Sequence, residues 1–151
     1  PDDSIQHAGV ILGIGGVAGH AHKGMARGSY GYMSRAAIIQ NYSAVTAACM
    51  LIRRNVWEEV GGLDESFEVA FNDVDMCMRI RKAGYLIVWT PYAELYHYES
   101  KSRGSEDTPE KQKRFEGEVR RFQERWRAEL EAGDPYYSPN LTLKAEDFTA
   151  R

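Results

Sequence analysis

Two carboxylates stand one residue apart in the stretch EVAFNDVDMCMRIRKAGY, Asp73 and Asp75, where an apolar turn gives way to a helical pattern. Three kinds of chemistry suit acids there. One acid can cap the helix while the other sits in its first turn, where the helix dipole favours negative charge by about 0.3–1 kcal/mol. A carboxylate pair can hold a divalent ion, and a single carboxylate can act as a general base. The spacing weighs against a shared ion. Side chains at i and i+2 of a helix diverge by about 200°, so both could reach one ion only from extended or loop backbone.

His97 is the next candidate. In AELYHYES it falls on one face with Ala93 and Leu95, opposite Glu94, Tyr96 and Tyr98, the alternation of a strand. A lone histidine there serves either as a surface or satisfied core residue or as a ligand for a divalent cation. Behind it, ESKSRG offers Ser100, Ser102 and Arg103 to phosphate oxygens through hydroxyls, backbone NH groups and a guanidinium. The glycine-rich GIGGVAG has Ala18 where a dinucleotide fingerprint needs its third glycine, no helical pattern follows, and there is no G-x-x-x-x-G-K-[ST].

The elements that must position these groups follow from pattern. Val10 to Leu12 read as a short strand, and Gly13 to Tyr32 as a long loop. The small and β-branched run SAVTAACMLIRR predicts a buried strand ending at Arg53 and Arg54. NVWEEVGG predicts a short helix with Asn55 as its cap and Gly61 past its end. A helix over about Asp73 to Ala83, closed by Gly84, leads to the apolar strand YLIVWT. Thr108 and Pro109 open a long helix on which Phe115, Val119, Phe122, Trp126 and Leu130 share one face, ended by Gly133 and Pro135. The tail DPYYSPNLTLKAEDFTAR is expected to lie irregularly across the surface. The order of elements is that of an α/β fold with a small mixed sheet and flanking helices. It forms a single domain, with a core over 1–104, the long amphipathic helix over 105–133 and the tail over 134–151.

The chain has 151 residues, 43% of them hydrophobic and 27% charged, enough for one domain with a real core. A formal net charge of -3 excludes a general nucleic-acid binder. No apolar run approaches the ~20 residues of a membrane span, and no leader is visible, so a cytoplasmic protein is expected. Cys49 and Cys77 lie in apolar stretches outside any Cys-x-x-Cys pair, which predicts free, buried thiols in a reducing compartment. The abrupt PDDSIQHAGV at the start suggests a piece of a longer protein.

As an ordered set, TAACMLIRR, VGGLDESF, the acids followed by D-x-C-x-R-x-R-x-x-G-Y, and H-x-E-S resemble the second half of the family 2 glycosyltransferases, the bacterial type that builds O-antigen and other surface polysaccharides, such as rhamnosyltransferases. PDDSIQHAG, RFQERW and DPYYSPNL extend the resemblance to nearly the whole chain. It implies a partial GT-A fold and inverting transfer of a sugar from a nucleotide-sugar donor to a glycan or lipid-linked acceptor. Asp73 matches the catalytic base and Asp75 a frequent structural acid beside the acceptor and sugar pocket. Asn72 stands where the family's Glu-Asp pair has its first acid. Ala47 and Ala48 match a segment lining the sugar pocket, and His97 a histidine of the metal site. The implied cofactor is magnesium or manganese, with further ligands in a first half, bearing an Asp-x-Asp, that this chain lacks. The processive motif Gln-x-x-Arg-Trp is absent, because Phe122 holds its first position. A half-domain would expose a sheet edge, so a homo-oligomer, a dimer in the simplest case, is expected, with peripheral contact to the inner membrane face. The alternatives are a non-catalytic binding or oligomerisation module and a metal-dependent hydrolase using Asp73, Asp75 and His97.

Overall fold

The computed structural model describes residues 3–98 and 108–151. Strand β1 (Val10–Leu12) pairs antiparallel with β2 (Ala18–His20), and β3 (Gln40–Tyr42) with β4 (Ile87–Trp89). A single antiparallel bridge, Val10 to Ala44, connects the first ladder to the chain leaving β3. Among the described residues four α-helices complete the fold: α1 (Arg54–Val60), α2 (Asn72–Lys82), α3 (Pro109–Arg125) and α4 (Arg127–Ala132). The α/β character therefore holds, but the expected single mixed sheet is two short antiparallel ladders.

β1 is buried on both faces. Val10 and Leu12 join the main core with Val56, Phe67, Met76, Ile80, Phe122 and Trp126. Ile11 faces a second cluster with Ile14, Ala21, Tyr42, Leu141 and Phe148. The tail therefore supplies core as well as surface, and it closes on itself through the Leu141 to Ala150 bridge. The stretch expected to be loop from Gly13 contains β2, because Gly13 turns the chain at φ 87° and makes a hairpin of it. Gly19 on β2 has no room for a side chain, since a Cβ there would lie 2.5 Å from Ile14 Cγ2.

Three expected strands are corrected. SAVTAACMLIRR is not a strand: Ala47–Cys49 form a 3-10 turn capped by Thr46, and Leu51 is 99% exposed. Its backbone NH groups are taken by side chains instead of a ladder, the competition that Thr and Asp impose on regular structure. AELYHYES has no ladder partner over 93–98 and lies exposed. Side-chain contacts fasten it, with Arg27 pairing Glu94 at 2.5 Å and Tyr96 Oη donating to Asp3 Oδ1 at 2.6 Å. YLIVWT forms only β4, with Ile87 inside but Leu86 and Val88 on an open face.

Helix boundaries follow local signals. Gly61 ends α1 in the left-handed region, as expected, but the helix starts at Arg54, which leaves Asn55 inside it rather than at its cap. Thr108 caps α3 by accepting from Lys111 N at 3.3 Å. The long helix breaks at Trp126 (φ -110°, ψ 25°). There the indole Nε1 donates to Asp75 Oδ1 at 2.9 Å. Phe122 and Trp126 are buried within this same chain, while Phe115 on the same face remains 42% exposed.

α2 is gripped along two stripes. On one, Asp73, Cys77 and Arg81 hold the extended segment 43–47: Ala47 N donates to Asp73 Oδ2 (2.9 Å), Cys77 Sγ to Val45 O (3.7 Å) and Arg81 Nη1 to Ser43 Oγ (3.1 Å). The pitches match, since four helical residues rise about 6.0 Å and two extended residues about 6.6 Å. On the other stripe Asp75 is fully buried. Arg79 Nε donates to its Oδ2 at 2.9 Å, and Arg125 Nη1 and Trp126 Nε1 donate to its Oδ1 at 3.0 and 2.9 Å.

Removing the Asp75 carboxylate leaves the buried Trp126 indole NH without its acceptor and takes an ion-pair partner from Arg79 and Arg125, which keep Gly62 O and Asp64. Asp75→Ala should lower unfolding stability by about 3–5 kcal/mol, and Asp75→Asn by less, because the amide oxygen still accepts from the indole. Urea denaturation measures both; an unchanged midpoint for Asp75→Ala would refute this account of the network.

Candidate active site

The approach to Asp73 is set by strained backbone. Phe71, one residue before α2, takes φ 63° and ψ 3°, a conformation that costs a non-glycine residue about 1–3 kcal/mol. Two contacts from α3 impose it. The Phe71 ring packs 5.7 Å from Phe115 and 5.5 Å from Phe122. The buried Glu118 carboxylate accepts from Val69 N (2.9 Å) and Ala70 N (3.1 Å). Asn72 Oδ1 then accepts from Asp73 N at 2.7 Å.

Asp73 is half-buried. Its Oδ1 accepts from Val74 N at 2.8 Å and its Oδ2 from Ala47 N at 2.9 Å. A carboxylate has about four lone-pair sites, so acceptor capacity remains beyond these two bonds. The carboxylate thus closes the start of α2 and pins the 46–49 turn at once. Asp73 and Asp75 point into different surroundings, as the helical step requires.

The other expected site residues fall in three groups. Ala47 and Ala48 are exposed on the turn that Asp73 holds, and Ala48 lines a cavity of about 1030 Å³. His97, also exposed, lines the same cavity but from irregular chain rather than from a strand. Asp75 does not face the cavity: both of its oxygens are engaged by Arg79, Arg125 and Trp126, so it offers none to a sugar or a metal. Ser100, Ser102 and Arg103 lie outside the described residues.

A metal centre does not assemble from what is described. Among the described residues no group of three or more His, Cys, Asp or Glu side chains could hold an ion. One imidazole is too few ligands for a hard cation that prefers several oxygens. With Asp75 buried in its own network, the hydrolase set of Asp73, Asp75 and His97 does not form.

Two features escaped the sequence. His7 lines the cavity and accepts from Gly9 N and Thr46 N, both at 3.2 Å, through Nε2. Thr46 Oγ1 accepts from Ala48 N at 3.4 Å. Three consecutive amides of the turn, at 46, 47 and 48, are thus held by His7, Asp73 and Thr46 in turn. No local pattern announces a histidine whose partner lies 39 positions away.

The cysteines also line the cavity but differ. Cys49 is exposed, against the expectation of burial, while Cys77 is buried. Burial pushes the Cys77 thiol up to about 12, and the Asp73 charge acts in the same direction. Since the thiolate is the nucleophile, iodoacetamide at pH 8 should modify Cys49 alone in the native chain and both cysteines in denaturant. Intact mass after labelling reads this, and a doubly labelled native protein would show that Cys77 is not enclosed.

The glycosyl transferase family group 2 model matches residues 3–130. The uncharacterized protein y4gI of Sinorhizobium fredii is 55% identical over 149 residues, which is 98% of this chain and 16% of that protein. The O-antigen biosynthesis protein RfbC of Myxococcus xanthus is 36% identical over 148 residues, 97% of this chain and 11% of its own length. An N-acetylglucosaminyl-diphospho-decaprenol L-rhamnosyltransferase of Mycobacterium tuberculosis is 40% identical over 60 residues, 40% of this chain and 20% of that enzyme. The chain thus spans less than a fifth of the first two relatives. No solved structure matches. Among the described residues no helix is long and apolar enough to cross a membrane.

Proposed function

This chain belongs to glycosyl transferase family group 2, and from that premise we propose that it is the acceptor-side part of a GT-A transferase that moves a sugar, with inversion, from a nucleotide-diphospho-sugar to a hydroxyl of a glycan or lipid-linked acceptor in polysaccharide synthesis. The observation that carries the proposal is Asp73. It is a half-buried carboxylate fixed by two backbone NH bonds beside the cavity-lining turn, with lone pairs to spare. In the proposed step the acceptor oxygen attacks the anomeric carbon, the bond from that carbon to the diphosphate breaks, and the acceptor proton passes to Asp73. Fixing the carboxylate on a helix start and a turn keeps it within the ~2.6–3.2 Å reach that general-base catalysis needs.

The names of the relatives support the substrate class: one is an O-antigen biosynthesis protein, another a rhamnosyltransferase acting on a lipid diphosphate sugar. We extend the proposal to a cytoplasmic site of reaction at the inner membrane face. A divalent ion remains part of it only as a group that His97 would share with oxygen ligands beyond the described residues.

A second reading applies to the chain in isolation. Leu51 is 99%, Leu86 63% and Val88 56% exposed on one side of the β3–β4 region, an apolar face that would favour association over turnover. The proposal for the isolated chain is a symmetric dimer covering this face.

Two outcomes follow. Asp73→Asn in an active transferase carrying this segment should cut transfer by about 10²–10⁴-fold while nucleotide-sugar binding is retained; activity within about tenfold of the parent would rule out the base. Sedimentation of the isolated chain at micromolar concentration should show a dimer, and Val88→Lys should return it to monomer. A monomeric parent chain would mean that this face is not self-complementary.

A further inference from the structure

His7 is a polar group of the cavity that the sugar-transfer step does not use. Its Nε2 receives two backbone NH donors, from Gly9 and from Thr46, each at 3.2 Å. A nitrogen that accepts from NH groups carries no proton, so in the neutral ring the proton sits on Nδ1. Protonating the ring would aim an Nε2–H at two NH groups. Burial, and then the neighbouring His20, push the His7 pKa down to about 3, so the ring is neutral throughout the physiological range. The His20 ring stands edge-on at 5.2 Å, and its own Nδ1 is engaged with Gln6 O at 2.8 Å. Among the described residues Nδ1 of His7 has no protein partner, yet the side chain is half-buried and lines the cavity.

We propose that His7 is an acceptor-binding residue whose Nδ1–H donates a hydrogen bond to a hydroxyl oxygen of a glycoside in this cavity, while its Nε2 holds the turn that Asp73 grips from α2. The two side chains take adjacent amides, His7 that of Thr46 and Asp73 that of Ala47. His7 and Ala48 line the cavity, while Asp73 holds the intervening amide from the α2 side of the turn, so the Nδ1 donor orients one hydroxyl of a glycoside next to the turn that the carboxylate fixes. Val45, Met50 and Ile52, all partly buried, also line the cavity, which suits a glycoside bearing an apolar aglycone. The choice of glycoside as ligand rests on the transferase reading; the ring's hydrogen bonds do not.

Two amide substitutions separate the roles. His7→Gln places an amide oxygen where Nε2 was and keeps the acceptor for the turn, but it loses the Nδ1 donor. His7→Asn does the reverse. With octyl β-D-glucopyranoside below its micelle threshold as probe, H7Q should melt like the wild type and bind about three- to tenfold more weakly, the worth of one neutral hydrogen bond. H7N should melt lower. Wild-type affinity in H7Q, or a wild-type melting temperature in H7N, overturns the assignment. The unmutated chain gives an independent answer through long-range ¹H–¹⁵N spectra of its imidazoles. Expected are a protonated Nδ1 on His7 and a shift of that nitrogen on adding the glycoside but not on adding octanol. An Nε2–H tautomer, or no shift at saturating probe, overturns the proposal even if H7Q does not fold. These readouts report contact rather than turnover, so a failed transfer assay on the full-length protein that carries this segment, with the imidazole shift intact, would sink the transferase reading alone.

Discussion

The buried carboxylate of Asp75 is the interaction on which the rest of this structure depends. It has no exposure to solvent, and Arg79, Arg125 and Trp126 surround it as donors. A charge in that position is tolerable only because it is paired and hydrogen-bonded on both oxygens. The pairing fastens three parts of the chain to one point. Arg79 reaches on to Gly62 O at 2.7 Å, Arg125 to Asp64 Oδ2 at 2.6 Å, and the indole of Trp126 marks where α3 gives way to α4. Hydrogen bonds from Ser66, and then from Arg125, hold the Asp64 carboxyl well below the usual carboxylate range, so that end of the relay stays anionic.

With one stripe of α2 locked in this way, its other stripe is free to organise the site. Asp73, Cys77 and Arg81 recur at four-residue steps and meet residues 47, 45 and 43 of an extended segment running the opposite way. The even residues of that segment turn to the amino-terminal part of the chain instead: Ala44 O accepts from Val10 N at 2.9 Å, and Thr46 N donates to His7. A segment with the composition of a strand thus becomes a spacer between a helix and a hairpin. It carries the turn of Ala47 and Ala48 to the cavity. The strained Phe71 belongs to the same construction, because Glu118 and two phenylalanines of α3 fix the backbone just before the candidate base.

Much of this was legible in the residues. The recurrence of Phe115, Val119, Phe122 and Trp126 at steps of four, three and four, with Thr108 and Pro109 ahead of it, marked α3, since helical period and capping are local properties. Gly61 marked the end of α1 for the same reason. Asp73 stood out because a helix start, an acidic residue and the ordered motifs around it coincide. The strands were less legible. AELYHYES has the alternation of a strand, but alternation yields a ladder only where an unpaired edge lies alongside, and over 93–98 the neighbours offer side chains. Cys49 was expected to be buried because its stretch is apolar, but the turn at Thr46 carries it outward.

The sequence by itself determined where the helices lie, the cap at Thr108 and the stop at Gly61, the family, and the residue best suited to be a base. Each depends on neighbours within about one or two helical turns or on an ordered set of such neighbourhoods. Only the tertiary structure decided that the two acids of Asp-Val-Asp have separate lives, one at the cavity turn and one sealed among arginines and an indole. Only it brought His7 to the amide of Thr46. These outcomes turn on partners 26 to 51 positions away. Burial and hydrogen-bond satisfaction are properties of the packed chain, and the spacing of residues along it does not contain them.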